Sequence, residues 1–423
     1  MIRRHKAKPG KRGHQQFAPD KRESSRLSPV VLSNPVNQAA HWSQESYLLE
    51  DLQTQYPLPQ VVRCSSRLVP GEEHALPVNV HVPMLLCNGR SARKLLAKHV
   101  GNDTRSQILV ETDDSIVIPG DYDGNFLRLH ARTTQDKSVA RSLHDVANSQ
   151  IPAFVNFSTV TSYTYVGTNG LNGDSGKLSG STNNVGSEFS SSHVSSRASK
   201  ISGRSTQEQQ KRIFHPPGSV FVVTGTSRGK AKNKRWSRDV LLIRCSDEHG
   251  NEVLIPSDQP GEVVEVETPP PGSTKLSLLP KDLMASNRYP GLVRFVYGHH
   301  PPRLTPCSNM FTLIDTFEES SLIGCLLYPN HALMIELPMT SSLGFQVALN
   351  KEELLDMHVP RQALNVVKTR SDTFMRDLKL KCKFLHRVSP SLAPNLMGQE
   401  GEDDMPSATV RTRQYANEAF FYL

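Results

Sequence analysis

The residues best suited to chemistry in this chain are its cysteines, one glycine-rich segment and a pair of histidines. The six cysteines include no Cys-x-x-Cys pair, and no His stands at zinc-ligand spacing from them. Residues 223–230 resemble a phosphate loop that is one residue too short, and Ala231 replaces the hydroxyl that would bind magnesium. His299 and His300 have no carboxylate or thiol at ligand spacing. We therefore predict no catalytic residues, no cofactor, no metal and no enzymatic activity.

Two features at the C-terminus predict protein binding instead. Tyr415, with Asn417 two positions later, has the pattern that the Src-homology domains of growth-factor-receptor adaptors read. Such domains bind the dianionic phosphate through Arg and use the Asn side chain to hold a turn. The apolar end at Leu423 has two interpretations: its carboxylate enters a PDZ groove, or the segment docks on the body of the protein.

The net charge of +8 is concentrated in two segments. Residues 1–26 contain nine Lys or Arg and two acidic residues, and residues 228–238 contain six Lys or Arg and no acid. The rest of the chain is therefore mildly acidic. A basic tail and a basic hairpin loop explain this charge without a nucleic-acid partner, so we predict that nucleic acid is an unlikely partner. The alternative is a nucleic-acid-binding β-barrel protein that uses these two segments.

The elements around these residues predict an all-β fold with a few short helices. Short runs of β-branched and aromatic residues dominate, and residues 378–384 alternate strictly, as a half-buried strand does. Helical signals are confined to residues 92–99, 139–148 and 351–357. No stretch is apolar enough to span a membrane, and no secretory signal is evident. We expect a cytoplasmic protein that could also enter the nucleus.

The composition predicts a central β domain between two tails. Residues 1–44 read as a disordered basic tail, and residues 386–423 read as a flexible C-terminal tail. The domain between them, 45–385, contains a low-complexity loop at 168–211. We divide this domain into repeats at about 45–135, 136–270 and 271–350, with 351–385 as a closing strand region.

The division rests on a pattern that occurs three times. Each copy begins with an Asp in a short helical turn and a Pro seven or eight residues later, before a strand: Asp51 and Pro59, Asp145 and Pro152, Asp282 and Pro290. Each then carries a strand-ending Pro, a polar turn, a Gly and an apolar residue: Pro119, Gly124 and Phe126; Pro256, Gly261 and Val263; Pro338, Gly344 and Phe345. Both patterns in order, three times, make coincidence a poor explanation.

At these residues the chain resembles the CABIT family, the cysteine-containing all-β module of Themis-type and GAREM-type signalling adaptors. The family pattern is a strand Cys, then hydrophobic-x-Leu-Pro, a turn and Gly-x-Phe. The second copy carries Cys245 in this role, and the third carries Cys325, with a slightly altered turn. The first copy keeps the Pro and Gly-x-Phe, but its nearest cysteine, Cys87, is more distant.

The resemblance implies a fold of repeated barrel- or sandwich-like units and a non-enzymatic scaffold downstream of receptor tyrosine kinases. It implies protein partners such as Src-homology-domain adaptors or phosphatases. Cys245 and Cys325 are then most simply buried core thiols. Family context also makes Tyr415 and Asn417 the favoured partner-binding residues.

Overall fold

The structure of the protein, a computed structural model, describes residues 33–69, 71, 76–103, 105–106, 108–165, 210–233, 236–268, 276–298, 307–387 and 416–423. The described chain is mainly β, with antiparallel sheets of eleven and eight strands and a few helices. The all-β prediction is therefore confirmed. Within these ranges, no helix is long and apolar enough to cross a membrane.

The three repeats predicted from the sequence are each visible as a short helix followed by strands. Helix α1 (Pro35–Ala39) precedes them. Repeat 1 contains α2 (Leu49–Gln55), β1 (Gln60–Cys64), β2 (Arg67–Leu68), β3 (Met84–Asp103), β4 (Ile108–Pro119) and β5 (Asn125–Arg128). Repeat 2 contains β6 (Arg141–Ser142), α3 (Leu143–Asn148), β7 (Ala153–Asn156), β8 (Val160–Tyr165), β9 (Gln210–His215), β10 (Val220–Asn233), β11 (Trp236–Ser246), β12 (Glu252–Pro256) and β13 (Glu262–Glu265).

Repeat 3 and the C-terminal region complete the described chain. Repeat 3 contains α4 (Pro280–Ser286), β14 (Gly291–Tyr297), β15 (Cys307–Leu327), β16 (Ala332–Pro338) and β17 (Phe345–Val347). The C-terminal region contains α5 (Lys351–Asp356), α6 (His358–Arg376), β18 (Lys379–Arg387) and β19 (Ala416–Tyr422). In α3 and α4 the repeated Asp caps the helix, since Asp145 accepts the N–H of Ser142 at 3.0 Å and Asp282 accepts that of Leu279 at 3.1 Å.

The chain divides into two compact units that do not follow the order of the repeats. Unit 1 comprises 1–91, 319–375 and 382–423, and unit 2 comprises 92–318 and 376–381. Strands β3 and β15 therefore each begin in one unit and end in the other. The predicted division at about 45–135, 136–270 and 271–350 into consecutive domains is wrong for the first and third repeats, because each contributes strands to both units.

Repeat 2 shows how one copy is built when its own strands pair with each other. Strand β10 turns back into β11, and the pairing order is β13, β7, β10, β11, β12. Its core contains Phe154, Phe221, Ile243 and Val263, all fully buried. The closing strand β13 pairs with β7, so the strand that follows the Gly lies beside the strand that follows the short helix.

Repeats 1 and 3 reach the same arrangement by exchanging strands. In unit 1, β1 of repeat 1 pairs with β17 of repeat 3, with Val62 opposite Val347. In unit 2, β14 of repeat 3 pairs with β5 of repeat 1, with Arg294 opposite Leu127. The long strands β3 and β15, of 20 and 21 residues, replace the β10–β11 hairpin of repeat 2. Each runs on without a turn to supply the strand that the other repeat lacks.

The close approach of β3 and β15 in unit 1 depends on a glycine. The two strands pair with each other, and a Cβ added at Gly89 would lie 1.5 Å from the carbonyl oxygen of Ser321. No side chain can occupy that space, because the obstacle is backbone rather than the end of a flexible side chain. Gly89 therefore permits the pairing on which the exchange depends in unit 1.

The boundaries of the predicted tails require correction. Residues 1–32 lie outside the described residues, but 33–44 do not form a tail: Asn34 is fully buried, caps α1 and donates from Nδ2 to the carbonyl of Leu327 at 2.6 Å. Residues 386–387 belong to β18 and 416–422 form β19, so the flexible-tail prediction is wrong there. Residues 388–415 lie outside the described residues, as do 166–209 of the low-complexity loop.

Three secondary-structure predictions were also wrong. Residues 92–99 contain helix-forming Ala, Leu, Arg and Lys, yet they lie in β3, because pairing with β4 outweighs a weak local propensity. The predicted closing strand region 351–385 is mostly helical: α6 buries Ala363 and Val367, four residues apart on one face, before β18 begins. The basic segment 228–238 belongs to the strands β10 and β11, which continue to Asn233 and from Trp236, rather than to a loop.

Strand exchange predicts that the two halves of the chain stay together after one cut. A protease site inserted between β13 and α4, within 269–275, separates repeat 3 from repeats 1 and 2 in the covalent chain. We expect the two fragments to co-elute in gel filtration at 1 M NaCl, because β1–β17 and β5–β14 are backbone ladders that salt does not screen. A second site within 388–415, which detaches only β19, is the control. Separation of the fragments without denaturant would contradict the exchange.

Candidate functional site

The prolines of the repeat, Pro119, Pro256 and Pro338, occupy equivalent positions. Each is the last residue of its strand, β4, β12 or β16. The residue after each proline donates its N–H at 2.9 Å to the carbonyl that precedes the proline's own strand partner: Gly120 to Arg93, Ser257 to Leu241 and Met339 to Ser320. The same hydrogen bond in three copies supports a common origin for their geometry in the Pro–turn–Gly pattern.

The apolar residue after each glycine also occupies an equivalent position. It pairs with the residue two positions before a short helix: Phe126 with Leu278, Val263 with Arg141, and Phe345 with Tyr47. Phe126 and Phe345 contact the other repeat's entry segment, while Val263 contacts its own. The pattern therefore closes each set of strands, and its hydrophobic side chains belong to the core.

The glycines and aromatic residues of the motif have structural roles. A Cβ at Gly124 would lie 2.0 Å from the ring of Tyr122, which folds over it. Phe126 is fully buried, with its ring centroid 5.6 Å from Phe295 and 6.4 Å from Phe311. Phe345 is fully buried in unit 1. These contacts assign the motif to packing and turn formation rather than to ligand binding.

The two family-type cysteines lie in hydrophobic cores. Cys245 packs in the core of repeat 2, and Cys325 packs in the core of unit 1, both fully buried. Burial raises the pKa of each thiol to about 12, and that of Cys87 to about 11. A thiol with so high a pKa is not a nucleophile at neutral pH. Among the described residues, no three His, Cys, Asp or Glu side chains converge to hold a metal.

Two buried histidines make hydrogen bonds to serines, a feature that sequence reasoning missed. Ser162 Oγ lies 2.7 Å from His215 Nε2, and Ser342 Oγ lies 2.8 Å from His386 Nε2. The Ser–His distances suit proton exchange, but Ser162 is fully buried, so no substrate reaches its hydroxyl. Desolvation lowers the pKa of both imidazoles and keeps them neutral near pH 7. The two partners in each pair are 53 and 44 residues apart, so no local motif could have revealed them.

The structure separates the predicted C-terminal binding residues. Tyr415 lies outside the described residues, whereas Asn417 begins the half-buried part of β19. Phe421 and Tyr422 are fully buried, and Tyr422 Oη donates to Glu319 at 2.8 Å. The docked end agrees with the second interpretation of Leu423. A PDZ domain would have to remove β19 from β16 to reach this carboxylate.

A polar cleft in unit 2 was not predicted from the sequence. It encloses about 360 Å³ and is lined by His130, Ser138, Arg141, Asp145 and Glu265, among others. The Arg141 guanidinium lies 4.0 Å from the Glu265 carboxylate, and hydrogen bonds from the helix cap lower the pKa of Asp145. Opposite charges therefore balance within the cleft. Its shape admits a small polar group, but its charges select no single class of ligand.

Comparison of the chain with protein-family models, curated proteins and solved structures finds no match. The functional argument therefore depends on the chain's own residues and on the resemblance of its motif. The sequence located the repeated motif, whereas the polar cleft and the Ser–His pairs arise from residues that only the fold brings together.

Thiol reactivity tests the assignment of the cysteines to the core. The five described cysteines are buried, so a Cys307→Ser variant should show no rapid reaction with Ellman's reagent at pH 8. We expect all five thiols to react in 6 M guanidinium chloride, and native reaction to be roughly 100-fold or more slower. A thiol that reacts in the native protein as fast as free cysteine would disprove its burial.

The buried histidines predict a loss of stability in mild acid. His99, His215 and His386 have a pKa lowered by desolvation, so the unfolded chain binds more protons below its own histidine pKa of about 6.5. The free energy of unfolding should be highest above that pH and fall as the pH drops from about 7 to 5. Exposed aspartates with lowered pKa act only below about pH 4. Urea midpoints at pH 7.5 and 5.5 measure this effect, and His386→Gln should reduce it; equal midpoints would contradict the prediction.

Proposed function

We propose that the protein is a non-enzymatic adaptor or scaffold in intracellular signalling of the receptor tyrosine kinase–ERK type. In this proposal a rigid β body presents a phosphotyrosine docking site at Tyr415 and Asn417. Its partners are Src-homology-domain adaptors or phosphatases, and it acts in the cytoplasm, with access to the nucleus.

The observation that carries this proposal is the equivalent placement of the CABIT-like motif in all three copies. Pro119, Pro256 and Pro338 make one hydrogen-bond pattern, and the residues after the glycines close equivalent strand sets. A motif devoted to packing suits a scaffold whose binding residues lie elsewhere. The buried, unreactive thiols of Cys245 and Cys325 also suit a structural role.

The position of β19 supports the choice of docking site. Tyr415 immediately precedes this strand, whose far end is held by the buried Phe421 and Tyr422. At its near end, Glu418 makes an ion pair with Lys383 at 3.2 Å, and both side chains are about half exposed. Exposed ion pairs contribute about 0–1 kcal/mol. The start of β19 can therefore detach for a partner at small cost while its end stays docked.

Phosphorylated full-length protein tests the docking site. After treatment with a tyrosine kinase, the chain should bind the isolated Src-homology 2 domain of a growth-factor-receptor adaptor, measured by surface plasmon resonance. Tyr415→Phe should lower affinity by about tenfold or more, since hydrogen bonds to the charged phosphate contribute about 1.5–3 kcal/mol. Asn417→Ala should lower it severalfold.

Tyr297→Phe is the matched control, because Tyr297 is 74% exposed and lies in unit 2. It removes an accessible phenol without touching the motif, so its binding should equal that of the unchanged protein. Equal binding by the phosphorylated Tyr415→Phe variant would reject Tyr415 as the docking site.

A further inference from the structure

One solvent-facing surface of repeat 2 carries cations and aromatic rings in a row. Arg244 of β11 lies opposite Leu254 of β12, which lies opposite Tyr163 of β8, which lies opposite Arg212 of β9. Residues opposite each other in antiparallel strands share a face of the sheet. Neighbouring strands are about 4.8 Å apart, so the row spans roughly 14 Å with an arginine at each end.

An exposed phenylalanine stands beside this row. Phe214 is 61% exposed, and the Arg212 guanidinium lies 4.5 Å from its ring centroid. Phe214 is opposite Thr161 of β8, whose hydroxyl accepts a hydrogen bond from Arg212 at 3.5 Å. The ring is therefore held on a sheet surface with its guanidinium neighbour rather than packed in a core.

The other face of the same two strands shows why this one is free for binding. Val160, Ser162 and His215 point into the core, where Ser162 and His215 are hydrogen-bonded. Alternation along β8 and β9 then places Tyr163, Arg212 and Phe214 outside. Core packing does not require an aromatic residue at position 214, so its exposure calls for another explanation.

The longest hairpin of the same sheet adds positive charge. Strands β10 and β11 have 14 and 11 residues, and Arg228, Lys230, Lys232 and Arg238 lie in their distal parts. No acidic residue occurs between 228 and 238, and the first beyond it, Asp239, is opposite Lys230. A polyanion approaching this sheet therefore meets a positively charged arm.

We propose that this surface, made of Tyr163, Arg212, Phe214 and Arg244 together with the β10–β11 hairpin, binds single-stranded nucleic acid. Bases stack on the two rings, while phosphates contact the arginines and the hairpin cations. The proposal does not depend on the adaptor function. It departs from the expectation that nucleic acid is an unlikely partner, which rested on the net charge of the body and not on the charges of one surface.

The exposed rings decide between this ligand and two others. An acidic protein segment would be satisfied by the cations alone and gives no role to Phe214. A duplex keeps its bases stacked in the helix, so it offers no free base face to an exposed ring. Unstacked bases use both the rings and the cations, and every base has a face that can stack.

One contact restrains the surface and provides a sharp test. Glu252 accepts hydrogen bonds from Arg244 Nε at 3.0 Å and Nη2 at 2.7 Å. The carboxylate neutralises the guanidinium and would repel a phosphate there. Both side chains are about half exposed or more, so Glu252→Gln should leave the fold intact and free Arg244 for an incoming anion.

The experiment measures binding of fluorescein-labelled 20-mers of oligothymidylate and oligouridylate to the full-length protein by anisotropy. We expect binding at 50 mM NaCl that weakens at 200 mM. Phe214→Ala should raise Kd by about fivefold or more, as stacking losses of about 1–3 kcal/mol per base imply. Arg212→Ala should also raise Kd, Glu252→Gln should lower it, and Lys230→Gln with Lys232→Gln should flatten the salt dependence.

The controls make equivalent surface changes in unit 1. Leu349→Ala removes an apolar side chain that is 65% exposed, and Arg361→Ala removes one positive charge from α6. Neither should change Kd. Absence of binding at 50 mM NaCl would overturn the proposal, as would Phe214→Ala binding as tightly as the unchanged protein. Competition by polyglutamate or by a duplex as effective as competition by the single strand would overturn it too, in favour of an acidic protein or a duplex.

Discussion

The architecture depends on two strands that do not turn. In repeat 2, β10 and β11 form a hairpin, and the copy completes itself. In repeats 1 and 3, β3 and β15 run on past residues 91 and 318, so neither can fold back on its own first half. Each must pair with strands supplied by the other repeat. The pairings of β1 with β17 and of β5 with β14 follow from this constraint.

The exchange explains why the motif is structural. The Pro ends one strand, the next N–H bonds to the neighbouring strand, and the residue after the Gly closes the set against a short helix. With its Pro, Gly and apolar residues committed to turns and packing, the motif leaves binding to other surfaces. Those surfaces are the start of β19 beside Tyr415 and the outer face of β8 and β9. They lie on different elements and use different chemistry.

The sequence predicted what local pattern determines. Short capped helices, proline-ended strands and the β class follow from spacing and residue type, as at Asp145 and Pro256. It could not predict which copy's strand each edge would choose, because β5 and β17 carry the same kind of pattern. The absence of Gly or Pro near residues 91 and 318 is a weak signal that a turn is missing. The helical assignment of 92–99 failed because strand pairing outweighed propensity, and Phe214 gave no signal before its exposure was known.

Engineered disulfides measure the exchange most directly. Arg63 lies opposite Gln346 across β1 and β17, while Arg294 lies opposite Leu127 across β14 and β5. Without exchange, β1 would pair with β5 of its own repeat, and Arg63 would lie opposite Leu127. The account predicts that Arg63→Cys with Gln346→Cys forms a disulfide on mild oxidation, because opposed residues have Cα atoms about 4.5–5.5 Å apart. Peptide mapping by mass spectrometry reads the bond. A disulfide in Arg63→Cys with Leu127→Cys, and none in the first variant, would contradict it.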